Sequence, residues 1–241
     1  CTINDLAKLR PQLNANVLSK IKESEFAGDL EHLLDDDVEL GAMTQKILVD
    51  ELDLEAESIA RRIAVRELRS KGWRTRSVDH ETESGVNPAT RTIDKTLNDG
   101  IDTLAWIIMQ FMLVGLLPLM WKRDISKAYR RCGVMPAHQH FMWVAWKFQG
   151  LIWASRHLGM PFGSVAAVQA WHRTANFILL VMLVFFRCPC GKFVDDFFGA
   201  GRDGVKFTGG YCFSKLVNIL GFPSDDAKDD DDKLKMDVLG A

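Results

Sequence analysis

Two adjacent aspartates within an apolar segment constrain this chain more than any other feature of its sequence. Asp195 and Asp196 lie in the run FVDDFF at residues 193–198. Neighbouring carboxylates repel each other, and burying one without a partner costs on the order of several kcal/mol. A bare Asp-Asp pair is more often a hydrophilic turn between two short strands. An apolar strand that turns tightly here can instead present both carboxylates to a divalent cation, and Asp124 upstream is the third candidate ligand.

The charged residues are strongly segregated along the 241-residue chain. The net charge of −2 arises from −6 over residues 1–70, +8 over residues 71–215 and −4 over residues 216–241. A basic middle segment suits a polyanionic partner or a nucleoside triphosphate, although solvated basic faces are common in other proteins. The apolar fraction of 47% and the charged fraction of 26% are those of a globular rather than a disordered protein.

The cysteines indicate the compartment. Five unevenly spaced cysteines argue against a disulfide framework and for a reducing, intracellular compartment, either the cytoplasm or the nucleus. Cys188 and Cys190 are separated by one residue rather than the two of a zinc knuckle or redox motif, so we expect neither zinc nor a thiol catalyst. Because the chain begins with Cys1, we also expect a fragment or a processed product.

Interleaved helix and strand patterns predict an α+β fold with a mainly antiparallel sheet. Residues 1–70 are expected to form a helical N-terminal extension, because Ala, Glu, Leu and Arg dominate residues 42–69 and the apolar positions recur at a helical period. Residues 71–241 are expected to form a second domain. The predicted strands of this domain are residues 73–79, 119–125, 141–148, 151–156, 188–194, 196–199 and 234–239. Its predicted helices are residues 97–113, 164–186 and 207–220, and Ser164 is expected to cap the second of them.

Two apolar runs, residues 104–120 and residues 177–186, must be weighed as membrane segments. The first contains Gly115 and Pro118 and is shorter than the roughly 20 residues that span a bilayer, and the second is shorter still. We therefore expect both runs to be buried core and expect no membrane association. A membrane-associated helical protein is the alternative.

Four short motifs follow one another in a fixed order: DISKAYR at residues 124–130, MPFG at 160–163, FVDD at 193–196, and LGFP at 220–223. Their order and spacing resemble the fingers and palm of reverse transcriptases, the RNA-directed DNA polymerases of LTR-type and related retrotransposons. The resemblance covers residues 71–241. It implies a reverse-transcriptase-like palm with an antiparallel sheet, flanking helices and partial fingers, truncated where the thumb begins, which would limit the activity of this segment alone.

The resemblance also assigns catalytic residues. It implies that Asp124 and Asp195 hold two Mg²⁺ ions, with Mn²⁺ as a substitute, and that Asp196 is a weaker third ligand. Magnesium prefers carboxylate oxygens together with phosphate and water, so three aspartates on neighbouring strands suit phosphoryl transfer. Lys228 matches a proposed general acid that protonates pyrophosphate, although a lysine in a charged turn is often merely solvated.

The remaining assigned residues would contact the nucleotide. In WRTRSVD, residues 73–79, either Arg74 or Arg76 matches a basic residue that contacts the incoming triphosphate. Tyr129 matches an aromatic residue that excludes a ribose 2′-hydroxyl, so deoxynucleotides would be preferred, and a half-buried core tyrosine is the alternative. Phe162 and Gly163 match a loop that lies against the nascent base pair, where glycine permits close backbone approach.

The resemblance thus implies template-directed DNA synthesis on an RNA or DNA template with a primer, using deoxynucleoside triphosphates. A catalytically decayed or domesticated palm that binds nucleic acid or protein is the alternative with the same fold. Phe193 stands where the family usually has tyrosine, which removes a hydroxyl and keeps the ring.

Overall fold

The computed structural model describes residues 2–69, 72–202, 208–225 and 229–234. The chain divides into two compact units. The first unit comprises residues 1–94 and 129–169, and the second unit comprises residues 95–128 and 170–241. Each unit contains its own sheet, and the fold is α+β as predicted.

Nine strands and six α-helices make up the described part of the chain. The strands are β1 (Ile47–Leu48), β2 (Ile59–Arg69), β3 (Gly72–Asp79), β4 (Pro118–Asp124), β5 (Trp143–Phe148), β6 (Leu151–Arg156), β7 (Cys190–Phe193), β8 (Asp196–Arg202) and β9 (Asp230–Lys233). The helices are α1 (Ile3–Lys20), α2 (Ala27–Glu39), α3 (Val86–Ala89), α4 (Ile101–Leu113), α5 (Val165–Val184) and α6 (Gly209–Ile219).

The first unit is a five-stranded sheet in the order β1-β6-β5-β2-β3, covered by α1 and α2. All neighbouring strands are antiparallel except β2 and β5, which are parallel. Helix α1 begins with a capping box, in which Thr2 and Asp5 satisfy each other's backbone N–H groups. Val17 of α1 is fully buried against Ile59 and Trp143 of the sheet, so burial of the apolar helix face supplies the core of this unit.

The predicted helix over residues 42–69 is wrong, because residues Ile59–Arg69 form the strand β2. Its composition favours a helix, but intrinsic propensity is weak and tertiary pairing overrides it. The strand pairs antiparallel with β3 from Arg62 opposite Asp79 to Arg69 opposite Gly72, and it also pairs with β5. The β2–β3 hairpin joins residues on both sides of the predicted boundary at residue 70, and the division into domains 1–70 and 71–241 stays a prediction.

A buried polar cluster ties the strands of the first unit together. The fully buried Asp79 carboxylate lies 2.9 Å from Arg62 Nε and 2.9 Å from His157 Nε2, and Arg130 Nη2 lies 3.7 Å away. Burial alone would raise the pKa of Asp79, but the neighbouring Arg62 charge holds that pKa well below its usual range. Arg130 also pairs with Asp37 of α2, at 3.2 Å, so the cluster links the sheet to that helix.

Glu81 lies beside this cluster and is held as a neutral acid. Burial, reinforced by the negative charge of Asp79, raises the pKa of Glu81 to about 8. Its Oε2 accepts a hydrogen bond of 3.3 Å from Ser84 Oγ, while its Oε1 has no hydrogen-bond partner among the described residues. An ionised carboxylate at this position would therefore be poorly compensated.

The second unit is a four-stranded antiparallel sheet in the order β7-β8-β4-β9, with α4 and α6 packed on it. Trp121, Phe197 and Phe213 form its fully buried aromatic centre. The predicted strand that ends at Asp124, the Asp-Asp hairpin and the last helix are confirmed. The predicted final strand at residues 234–239 lies outside the described residues except for Leu234, which follows β9 in a bend.

The apolar run at residues 104–120 is divided between two elements, since α4 ends at Leu113 and β4 begins at Pro118. Within the described ranges, α5 alone has the length and the apolar composition of a membrane-crossing helix. One such helix is weak evidence for a membrane segment. The prediction that both apolar runs are buried core is wrong in part, because more than half of the surface is exposed at several large apolar residues: Trp106, Leu113, Val114, Phe177, Leu180 and Phe185.

Replacing Glu81 should remove a pH dependence from the stability of the first unit. The pKa of Glu81 rises from 4.5 to about 8 on folding, so this group stabilises the fold fully below pH 4.5 and that contribution is lost as the pH rises to about 8. The loss amounts to at most about 1.4 kcal/mol per pH unit. Urea unfolding between pH 5 and pH 8 should therefore show a flatter profile for Glu81→Gln than for the wild type.

The exposed residue Glu51 provides the matched control, and Glu51→Gln should keep the wild-type slope. An unchanged pH profile for Glu81→Gln would show that Glu81 ionises freely in the folded protein.

Candidate active site

The register of β4 against β8 brings two of the candidate carboxylates face to face. Asp124 is paired directly with Asp196, and side chains opposite each other in antiparallel strands have Cβ atoms about 4.5–5.5 Å apart. The Ile125 N–H donates a hydrogen bond of 3.1 Å to the carbonyl oxygen of Asp195. The backbone pairing thus brings Asp124, Asp195 and Asp196 to the same end of the sheet.

Positive groups lie around this acidic end of the sheet. Lys122 Nζ is 3.3 Å from a carboxylate oxygen of Asp196. Arg123 Nε is 3.3 Å from Asp229, and Asp229 in turn accepts a hydrogen bond of 3.4 Å from the Asp124 N–H. Two like charges directly opposite each other destabilise a strand pair, and these neighbouring cations offset part of that cost.

Within the described ranges, no group of three or more His, Cys, Asp or Glu side chains has a geometry that could hold a metal ion. A magnesium site in a nucleotide-binding enzyme does not need such a group, because one or two carboxylates together with substrate phosphates and water complete it. Asp124 is the last residue of β4 and is buried, with 9% of its surface exposed.

Asp195 belongs to a tight turn with an unusual backbone. Residues 194–195 connect β7 to β8, and Val194 has φ +55°, a left-handed conformation that a β-branched residue rarely adopts. Both polar backbone groups of Val194 are bound by side chains: its carbonyl accepts from Trp171 Nε1 at 2.7 Å, and its N–H donates to Asn98 Oδ1 at 3.3 Å. The turn that carries Asp195 is therefore held from outside the hairpin.

The candidate nucleotide-binding residues belong to the first unit, where three of them converge. The Phe162 ring lies edge-on to Tyr129, with 5.5 Å between centroids, and the Arg76 guanidinium lies 5.8 Å from the Phe162 centroid. Arg74 is exposed on β3, in register with Glu67. Of the two arginines that the sequence left open, the structure places Arg76 beside Phe162.

Gly163 allows the Phe162 loop to lie against β3. The Asp79 N–H donates a hydrogen bond of 3.2 Å to the Phe162 carbonyl. Gly163 has φ +107°, and a Cβ atom there would lie 2.3 Å from the Asp79 carbonyl oxygen. Only glycine fits this approach without displacing the backbone.

Ser164 does not cap α5 as predicted, since its buried hydroxyl has no hydrogen-bond partner among the described residues. Asn87 supplies the cap instead. Its Oδ1 accepts from the Val165 N–H at 2.9 Å, and its Nδ2 donates to the Gly163 carbonyl at 2.8 Å. A side chain distant in sequence therefore fixes both the helix start and the adjacent loop.

Lys228, the candidate general acid, lies outside the described residues. Five residues that the sequence did not assign to the site contact the site residues or their loops: Lys122, Asp229, Asn98, Trp171 and Asn87. Lys122 could have been found, because residues two apart on a strand face the same side. The others reach the site through tertiary contacts that no local pattern indicates.

Substitution of Gly163 should destabilise the first unit by more than backbone strain alone. Gly41 has a comparable positive φ of +75° and open space around its missing Cβ. Gly41→Ala should thus report only the cost of the left-handed conformation, about 1–2 kcal/mol, whereas Gly163→Ala should cost at least about 2 kcal/mol more because its Cβ meets backbone. Equal midpoints for the two variants in urea unfolding would contradict this packing.

Comparisons with known proteins support the fold. No family model and no curated protein sequence matches the chain. A solved structure, that of a foamy viral protease-reverse transcriptase in complex with double-stranded DNA, matches with a TM-score of 0.62 and 13% sequence identity, covering 88% of this chain and 32% of that one. The chain spans about a third of that protein's length. At this identity the likeness concerns the fold alone, and the fold is reverse-transcriptase-like, as the ordered motifs predicted.

Proposed function

We propose that this chain catalyses template-directed nucleotidyl transfer as the fingers and palm of a retroelement reverse transcriptase. The observation that carries the proposal is the pairing of Asp124 directly opposite Asp196, with the Asp195 carbonyl bonded to the residue that follows β4, on a reverse-transcriptase-like fold. Nucleotide addition is an in-line phosphoryl transfer, in which the protein chiefly positions the reactants and neutralises developing charge.

Asp124 and Asp195 are the proposed ligands of two Mg²⁺ ions, for which Mn²⁺ can substitute. When bound, such a pair of ions activates the primer hydroxyl and stabilises the leaving pyrophosphate. Asp196 is the proposed weaker ligand, and its contact with Lys122 at 3.3 Å supports that ranking because the lysine competes for the same carboxylate. Lys228 is proposed as the general acid from the resemblance alone.

For the first unit we propose contacts to the nucleotide. The Arg76 guanidinium, which lies beside Phe162, suits a triphosphate. Phe162 and Gly163 suit a base pair, because the Phe162 ring is 43% exposed and offers a stacking face, and the neighbouring Gly163 has no side chain. Tyr129 is the proposed barrier to a ribose 2′-hydroxyl, supported by its edge-on contact with Phe162, the residue proposed to stack on the base pair.

The proposed partners are an RNA or DNA template with a primer, and deoxynucleoside triphosphates. The net charge of +8 over residues 71–215 supports a polyanionic partner, and the foamy viral protein of similar fold is in complex with double-stranded DNA. The proposed compartment is intracellular and reducing.

A palm that binds nucleic acid without catalysis is the second candidate. It is favoured by the finding that no three metal-ligating side chains converge within the described ranges. The two proposals differ in one outcome, because a binding module would retain a primer–template duplex and show no extension with either Mg²⁺ or Mn²⁺.

Removing one carboxylate should abolish synthesis while preserving the fold. Asp195→Asn keeps the size of the side chain and removes the charge that would bind the metal, so primer extension should fall by at least about a thousandfold, or about 4 kcal/mol. The melting temperature should change little, since the turn is held through backbone groups. Asp102→Asn, at an exposed aspartate of the same unit, is the control. Near-normal extension by Asp195→Asn would refute the assignment.

Shortening Tyr129 should relax sugar selection. Tyr129→Val opens the space that the ring fills, so the ratio of ribonucleotide to deoxynucleotide incorporation should rise by at least about tenfold. Steady-state incorporation of matched nucleotide pairs measures that ratio. The other tyrosine of the chain, Tyr211, lies exposed on α6, and Tyr211→Val should leave the ratio unchanged. An equal ratio of ribonucleotide to deoxynucleotide incorporation in the two variants would show that Tyr129 has only a structural role.

A further inference from the structure

Val194 has a strained backbone: of the described non-glycine residues of the second unit with positive φ, it alone is β-branched. Its φ of +55° places a β-branched side chain in the left-handed region, which costs on the order of 1–2 kcal/mol. Glycine or asparagine would adopt this conformation more readily. A strained residue beside a candidate catalytic carboxylate persists only when its surroundings determine its conformation.

Trp171 is one of the residues that hold Val194 in this conformation. Its indole is only 1% exposed and is fixed by Phe197 and Phe222, whose ring centroids lie 6.4 and 5.7 Å away. A buried indole N–H usually has an acceptor, and for Trp171 the acceptor is the Val194 carbonyl, at 2.7 Å. The rigid ring therefore fixes one side of the turn.

Asn98 fixes the other side of the turn, and its segment is anchored on β7. The Asp99 N–H donates to the Lys192 carbonyl at 2.8 Å, and Asp99 Oδ2 accepts from the Lys192 N–H at 3.0 Å. The almost fully buried Lys192 side chain donates to the Leu97 carbonyl at 3.3 Å. The residues on either side of Asn98, Leu97 and Asp99, are thus both hydrogen-bonded to Lys192 of β7, and Asn98 contacts Val194 from this anchored segment.

We propose that Trp171 and Asn98 are positioning residues for Asp195, acting through the backbone of Val194. Because the Asp195 carbonyl is bonded to Ile125 N–H, a turn held by these two side chains fixes the Asp195 carboxylate relative to Asp124. The catalytic consequence rests on the proposed nucleotidyl transfer, while the structural part can be measured without it.

The structural part is tested by amide hydrogen exchange at residues 194 and 195. Trp171→Phe keeps the ring and removes the N–H donor, so exchange there should accelerate about tenfold, the size expected for a lost buried hydrogen bond. Trp121→Phe is the matched control, because Trp121 is equally buried in the same unit and its Nε1 has no hydrogen-bond partner among the described residues. Equal exchange rates in the two variants would overturn the proposal.

Two variants at the surface-exposed residue Asn98 provide a second test that leaves the core intact. Asn98→Ala removes the acceptor and should accelerate exchange at Val194, whereas Asn98→Asp keeps an acceptor oxygen and should restore slow exchange. Loss of protection in both variants, or in neither, would contradict a role for the side-chain oxygen.

The catalytic part is tested by Mn²⁺ affinity, measured by electron paramagnetic resonance, together with primer extension. Trp171→Phe should weaken Mn²⁺ binding and slow extension by about tenfold, and Val194→Gly in that background should restore both, because glycine adopts a positive φ without strain. Unchanged affinity and extension in Trp171→Phe would overturn the positioning role. If the wild type neither binds Mn²⁺ nor extends primers while exchange still responds to Trp171→Phe, the proposed function falls and the positioning contact stands.

Discussion

The antiparallel register between β4 and β8 is the constraint on which the candidate active site depends. It sets Asp124 against Asp196 and bonds the turn residue Asp195 to the residue that follows β4. Such a register opposes two negative charges, which sheets ordinarily avoid. A one-residue slip would move every side chain of the strand to the other face, so the buried aromatic residues of β8 and the acidic cluster are specified together. The unfavourable pairing persists because Phe197 and Phe198, which lie on opposite faces of β8 and are both fully buried, fix the register.

Asp79 plays the corresponding part in the first unit. Its carboxylate is neutralised by Arg62 inside the sheet, while its backbone N–H and carbonyl face the loop of Phe162 and Gly163. The same residue therefore fixes β3 in the sheet and sets the position of the loop. A fully buried ion pair contributes little net stability, but here it specifies where the strand ends and how closely the loop approaches it.

Sequence analysis could predict the features whose signal is local. The apolar residues around Asp195 and before Asp124 indicate their strands directly, and the order of the motifs indicates the fold. Strand β2 could not be predicted, because its composition favours a helix and its partner β5 lies far along the chain. The contacts of Trp171 and Asn98 with Val194 are likewise set by tertiary packing. The candidate site residues were identified from the sequence and stay a prediction, whereas the side chains that contact their turn were found only in the structure.

Anomalous diffraction from crystals of the chain grown with Mn²⁺ would test the central claim most directly, because it locates the metal without requiring turnover. If Asp124 and Asp195 bind the metal, a peak should appear at the end of β4, within about 2–2.5 Å of carboxylate oxygens of both residues, and it should be lost in Asp195→Asn. A peak elsewhere in the molecule, or none at saturating Mn²⁺, would contradict a metal-dependent nucleotidyl transfer at this site.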